Sequence, residues 1–208
     1  MHTYATDSPK RTKTIAGLGI MSAGLVIGFS SLFRGLPVEV LIPSPFALFG
    51  VLYWLMDNHA WRWPLVQRLG IVKVPDLSGD WTGTLRSSFD DHATAHPVRI
   101  NIKQTWSRLC VRFRANDSGG SGSHSIAATL LTEGPQGVTL VYVYKNEPDA
   151  EAIYLMHPHD GTASLSLRDD GALAGSYYSG RGRGNHGSIT LSRVAKPANP
   201  RLHADEGL

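Results

Sequence analysis

The chain is poor in the residues that build disulfide scaffolds and metal centres. Cys110 is its only cysteine, so no intrachain disulfide can form and a cysteine-ligated zinc site is not expected. It also lacks a basic excess where a nucleic-acid footprint would need one. Seven of its 20 Lys and Arg (Lys10, Arg11, Lys13, Arg34, Arg62, Arg68 and Lys73) precede residue 74, against Asp7, Glu39 and Asp57. The remainder holds 13 basic and 14 acidic residues. A near-neutral segment releases few counterions, which argues against a DNA or RNA polymer as partner.

A specific catalytic constellation is missing as well, so no enzymatic chemistry is expected. His157-Pro158-His159-Asp160 matches no zinc spacing and reads as a strand end or turn. His92 and His96 fall in a polar loop and read as solvated. Gly182 to Gly187 formally matches GxGxxG but precedes a strand pattern, so it lacks the helix N-terminus that would hold a pyrophosphate. Asp90-Asp91 and Asp169-Asp170 lie in turns, where Asp is favoured for backbone reasons. No metal and no cofactor are expected.

Long apolar runs are present, and they are confined to the first 60 residues. Thr14 to Phe33 carries no charge over 20 residues, which as a helix spans about 30 Å, the thickness of a bilayer core. Val40 to Met56 is a second uncharged run whose first turns are shaped by Pro43 and Pro45. Residues 34–39 make the turn of a helical hairpin. Lys10, Arg11 and Lys13 precede the first span, Arg62, Arg68 and Lys73 follow the second, and Arg34 stands alone between them. The positive-inside rule then places both termini in the cytoplasm of a multi-pass membrane protein. Tyr53, Trp54, Trp61 and Trp63 fit an aromatic interface belt. Gly24 and Gly28 form a GxxxG pair, with Gly17 before them, for helix packing within one hairpin or between protomers.

From Leu77 onward the period becomes two. Alternating segments at 79–85, 98–103, 109–114, 125–132, 138–145, 152–156, 163–168, 173–178 and 188–193 read as strands. Asp169-Asp170-Gly171 and Gly134-Pro135-Gln136-Gly137 read as turns, and Ser118–Ser123 as a flexible loop. The pattern predicts an all-β domain, an antiparallel β-barrel of about eight strands, wide enough for one small ligand. The expected organisation is an N-terminal tail (1–13), a transmembrane hairpin (14–57), an interfacial linker (58–73), the barrel (74–194) and a disordered tail (195–208). Arg99, Arg112 and Arg114 on strands, Tyr142 and Tyr144 on one strand face, and Tyr177, Arg181 and Arg183 near the end are candidate ligand-binding residues. Guanidinium forks suit phosphates and tyrosine faces suit bases.

The Leu77-Ser78-Gly79-Asp80-Trp81-Thr82-Gly83 opening, the Gly175 to Gly184 segment and the Gly187-Ser188-Ile189-Thr190-Leu191 strand, set after two apolar spans, resemble the two-transmembrane, β-strand-rich effectors of bacterial CBASS anti-phage signalling. The resemblance covers nearly the whole chain. It implies a barrel that binds a cyclic oligonucleotide made by a partner nucleotidyltransferase (CD-NTase), oligomerisation of the protein with itself, disruption of the lipid bilayer by the transmembrane helices, and death or arrest of the infected cell. It also adds Trp81, with Tyr177 and Arg181, to the ligand-binding candidates by motif position. Two further readings compete. One is a membrane-tethered, lipocalin-like carrier or receptor with an aliphatic lumen. The other is a structural protein whose barrel is filled by its own side chains.

Overall fold

The structure is a computed structural model that describes residues 1–32, 44–115, 121–148, 157–181 and 183–195. Helix α1 runs over Lys10–Leu32 and α2 over Pro45–Asn58, and the two pack on each other. Helix α2 starts where local chemistry dictates. Ser44 Oγ accepts from the Ala47 N–H at 3.1 Å, and Pro45 occupies the first helical position. α1 is the one described helix long and apolar enough to cross a membrane. At 14 residues α2 rises about 21 Å; residues 40–43 of the expected second span, and the expected 34–39 turn, lie outside the described residues. A single helical turn at Ala60–Arg62 and the short α3, Pro64–Arg68, follow.

Eight strands then close a barrel: β3 Gly79–Ser87, β4 His96–Gln104, β5 Arg108–Ala115, β6 Ser121–Leu131, β7 Thr139–Pro148, β8 His159–Leu167, β9 Leu173–Ser179 and β10 His186–Arg193. Each pairs antiparallel with the next, and β10 returns to β3, with Ile189 opposite Leu85. The antiparallel eight-stranded barrel expected from the periodicity is the one found. Closure leaves no long free edge. Both expected turns close as hairpins. Gly137 N–H donates to Gly134 O at 3.0 Å and Gly171 N–H to Arg168 O at 2.9 Å, each glycine at positive φ. Ser121–Ser123, expected in a flexible loop, instead open β6, and the candidate strand at 152–156 lies outside the described residues.

The seam between β5 and β6 is short. Among the described residues Arg112↔His124, Phe113↔Ser123 and Arg114↔Gly122 pair across it, and a bulge follows at Ser125/Ala127. Two short strands from the N-terminus, β1 His2–Thr3 and β2 Ala5–Thr6, pair with the remainder of β5 and β6. Tyr4 between them is buried, its hydroxyl donating to Trp106 O at 2.9 Å, while Arg11 donates to Tyr4 O and Trp106 O. Asp7 accepts from the backbone N–H groups of Thr132 and Glu133. Residues 2–8, expected as a tail, are therefore part of the barrel wall.

Inward-facing residues fill the half of the barrel nearest the helices. Trp81, Ile100, Ile102, Trp106, Leu109, Leu130, Leu140, Leu165, Leu173 and Leu191 are fully buried there. The segment after α2 joins this core. Trp61, Val72 and Leu77 are buried, and Trp81 Nε1 donates to Leu77 O at 3.0 Å. Trp61 is thus a core residue and not a member of an interface belt; Trp54 and Trp63 remain exposed. The expected linker is in part the plug that seals the barrel floor.

Candidate ligand-binding site

Above the packed floor the lumen opens into a cavity of about 310 Å³, within the range of small-molecule sites. Its position follows from side-chain size along each strand. On β7 the inward sequence is Leu140, Tyr142, Tyr144, Asn146; on β4, read from the far end, it is His96, Val98, Ile100, Ile102. Large apolar groups fill the floor, while polar and aromatic groups stand at the mouth. Ser87, Ser123, Ser179 and Asn146 supply the polar lining, with Phe113, Tyr142, Tyr144 and Tyr177 the aromatic one.

Glycines make room for these rings. A Cβ at Gly161 on β8 would overlap the Tyr144 ring, and one at Gly187 on β10 would press on Tyr177 Cε1 and on the Arg86 carbonyl. The Tyr142 and Tyr144 rings stand 6.2 Å apart at 54°. Burial of Tyr142, with the neighbouring Tyr144 adding to it, pushes its hydroxyl well above the usual tyrosine range; burial also raises Tyr144. Both rings are neutral in the site. Tyr144 Oη reaches Tyr178 O at 3.4 Å.

The cationic member is Arg183. Its guanidinium lies 6.0 Å from the centre of the Phe89 ring. The Asn185 carboxamide, oriented with its oxygen toward the guanidinium, accepts from Nε at 3.0 Å. The Nη groups make no hydrogen bond among the described residues, which leaves a guanidinium edge at the cavity mouth. His96 Nε2 contacts Asp90 Oδ2 at 3.1 Å, and hydrogen bonds from Thr94 hold that carboxyl below its usual range, with His96 assisting.

Of the candidates read from sequence, Tyr142, Tyr144, Tyr177 and Arg183 are brought together around this cavity. The others are not. Arg99, Arg112 and Arg114 are exposed on the outer wall, where Arg99 and Arg114 are directly paired residues of β4 and β5. Alternation explains it: Val98, Ile100, Val111 and Phe113 take the inner face, so their neighbours point out. Trp81 is buried in the floor with Arg193 4.9 Å over its ring, away from the cavity lining. Arg181 is exposed and does not line the cavity. Sequence reasoning missed Phe113, Asn146, His159 and Ser179, and it read His96 as solvated. The period-two pattern carried the signal for Phe113, Asn146 and Ser179, since each continues an inward-facing row.

Gly17, Gly24 and Gly28 stand with open space where a side chain would project, so none is a point of close approach to α2 within this chain. A closed barrel, packed at the helix-proximal floor and open at the distal end into an aromatic and polar cavity, defines a small-ligand receptor joined to an apolar helix. The chain belongs to the family of the Cap15 cyclic dinucleotide receptor domain, whose model matches residues 72–193, the floor segment and all eight barrel strands. It is similar to CD-NTase-associated protein 15 of Yersinia aleksiciae, with 27% identity over 146 residues. The match covers 69% of this chain and spans 66% of the length of that protein. The resemblance to CBASS effectors, carried by the Leu77–Gly83, Gly175–Gly184 and Gly187–Leu191 segments together, is thereby met.

Proposed function

We propose that this protein is a membrane effector of cyclic-nucleotide anti-phage signalling. A cyclic dinucleotide, supplied by a CD-NTase, enters the distal cavity. Its bases stack on Tyr142, Tyr144 and Tyr177, and a phosphate pairs with the Arg183 fork. Arg181, Trp81 and the outer arginines act elsewhere in this reading, Trp81 in holding the floor. Ligand binding favours a self-associating state by its differential affinity for the two states. The α1 and α2 segments cross the bacterial inner membrane with both chain ends in the cytoplasm. Clustered copies then disrupt the bilayer through contacts between protomers at Gly24 and Gly28, causing cell death or growth arrest. Confinement to a plane raises the effective concentration of neighbours.

The observation that carries this reading is the half-filled lumen: a guanidinium edge whose Nη groups have no hydrogen bond among the described residues and three tyrosines converge on a cavity inside the domain that the family model matches. The experiment is calorimetric titration of the full chain in detergent micelles with a panel of cyclic dinucleotides and trinucleotides. One member should bind tightly, and Arg183→Ala should weaken it by about 2 kcal/mol, the worth of a charge-assisted hydrogen bond, while Arg181→Ala leaves affinity within about twofold. A folded protein that binds none of the panel would refute the reading.

A further inference from the structure

A second cavity, of about 530 Å³, lies where α1 meets the chain that follows α2. One face of α1 forms its wall: Lys10, Lys13, Gly17, Leu18 and Met21 recur at helical spacing. Leu69 and Ile71 form the opposite wall. The two walls are fastened together, since Lys10 Nζ donates to Gly70 O at 2.5 Å and Thr14 Oγ1 to Ile71 O at 3.3 Å. Lys13 is exposed and has no partner among the described residues. The floor at Gly17 is open, for a Cβ there meets nothing within 4 Å. From Lys13 to Met21 the groove follows α1 for about 12 Å, at 1.5 Å per residue. Beside it the surface is apolar: Trp63, Leu65 and Leu69 are 50%, 65% and 66% exposed. Such a surface, next to the basic first turn of an apolar helix, suits a bilayer interface.

We infer that this groove holds one anionic glycerophospholipid, with an acyl chain along Gly17, Leu18 and Met21 and its phosphate at Lys13 beside Lys10. An apolar slot with two ammonium groups at one end is complementary to an amphiphile with an anionic head. The apolar stretch of a second copy of α1 is a poor occupant. It carries no charge over residues 14–33, so it would desolvate Lys13 without pairing it. The inference rests on α1 crossing a membrane and goes beyond the reading of the barrel.

The test uses the full chain reconstituted in phosphatidylethanolamine vesicles with and without phosphatidylglycerol. Flotation establishes insertion, and native mass spectrometry after detergent extraction counts the lipid retained. The wild type should float and retain one phosphatidylglycerol in preference to phosphatidylethanolamine by roughly tenfold, the effect of one or two lysines on an anionic lipid. Lys13→Glu should abolish the preference and Gly17→Leu should lose the lipid. Both should unfold at the wild-type temperature, because neither side chain touches the barrel. Equal retention of the two lipids, or a preference that survives both substitutions, would overturn the site. So would disulfide dimers of Met21→Cys in a Cys110→Ser background, which would put a second copy in the groove. A chain that does not float would instead overturn the membrane reading itself.

Discussion

At the residue scale the site depends on what glycine and burial permit. Gly161 is the seat of the Tyr144 ring, so Gly161→Ala forces the ring to move or β8 to shift, an overpacking that costs about 1–3 kcal/mol. The variant should show a lower midpoint in urea and ligand affinity reduced by at least about tenfold; unchanged values for both would mean that Tyr144 does not rest there. Burial makes a second prediction. Tyr142, Tyr144 and Tyr4 all have hydroxyls raised above the ordinary tyrosine value by desolvation, which is about 10 in the unfolded chain. Between those values the folded chain keeps protons that the unfolded chain has lost. Their contribution to stability is fully present below about pH 10 and is lost as pH rises beyond it. A phenolate absorbance titration should show these three of the seven tyrosines ionising above the ordinary tyrosine range, Tyr142 only with unfolding, and reversible titration of all seven near pH 10 would contradict their burial. Tyr142 and Tyr144 were legible from sequence because both sit on one face of a strand. The outer arginines have a chemistry that suits phosphate but a phase that does not: Ile100 and Val111 take the inner face, which leaves Arg99 and Arg112 to solvent.

At the element scale the barrel has one incomplete pairing, between β5 and β6, and the first residues of the chain complete it. Removal of residues 2–8 would expose the backbone of Arg108 and Leu109 on one side and of Thr129 and Leu130 on the other. It would also empty the site of Tyr4, a residue 3% exposed. Loss of a buried aromatic costs about 3–5 kcal/mol, so the deletion should lower unfolding free energy by at least about 3 kcal/mol. Hydrogen exchange at Leu109, whose N–H faces β1 whereas that of Arg108 donates to Thr105 Oγ1, should accelerate while amides of the β7–β8 ladder keep their order of protection; unchanged protection at Leu109 would show that the N-terminal strands are ornamental. The eight long strands were readable because alternation over six or more residues is a repeated signal. Two strands of two residues carry no period, and the one large apolar residue beside them, Tyr4, lies between them. The seal formed by Trp61 and Val72 was equally hidden, because a plug segment is neither amphipathic helix nor alternating strand and is recognised only by what it covers.

At the scale of the whole molecule, helix and barrel share one core. Met56 from α2, Ala60 and Trp61 from the turn after it, and Tyr4 from the N-terminus belong to the same buried cluster as Trp81 and Leu109. Asp57 accepts from the Ser107 N–H at 2.7 Å, and Tyr53 packs on Trp106 at 6.3 Å. The helical segments are thus joined to the barrel floor by side-chain packing as well as by the chain, so a change in the floor reaches α2 without crossing a flexible linker. This has a consequence for dissection. A fragment of residues 74–194 keeps all eight strands but loses Trp61, Met56 and Tyr4 from its core, and each large apolar truncation costs about 2–5 kcal/mol against a total of about 5–15 kcal/mol for a domain. The fragment should be soluble only in part, bind a hydrophobic dye and lack a cooperative thermal transition, whereas the full chain in micelles should unfold cooperatively. If the fragment unfolds in a single sharp transition and binds the cyclic dinucleotide as tightly as the full chain, floor and helices are energetically separate, and the proposed mechanism must then reach α1 through contacts between protomers alone.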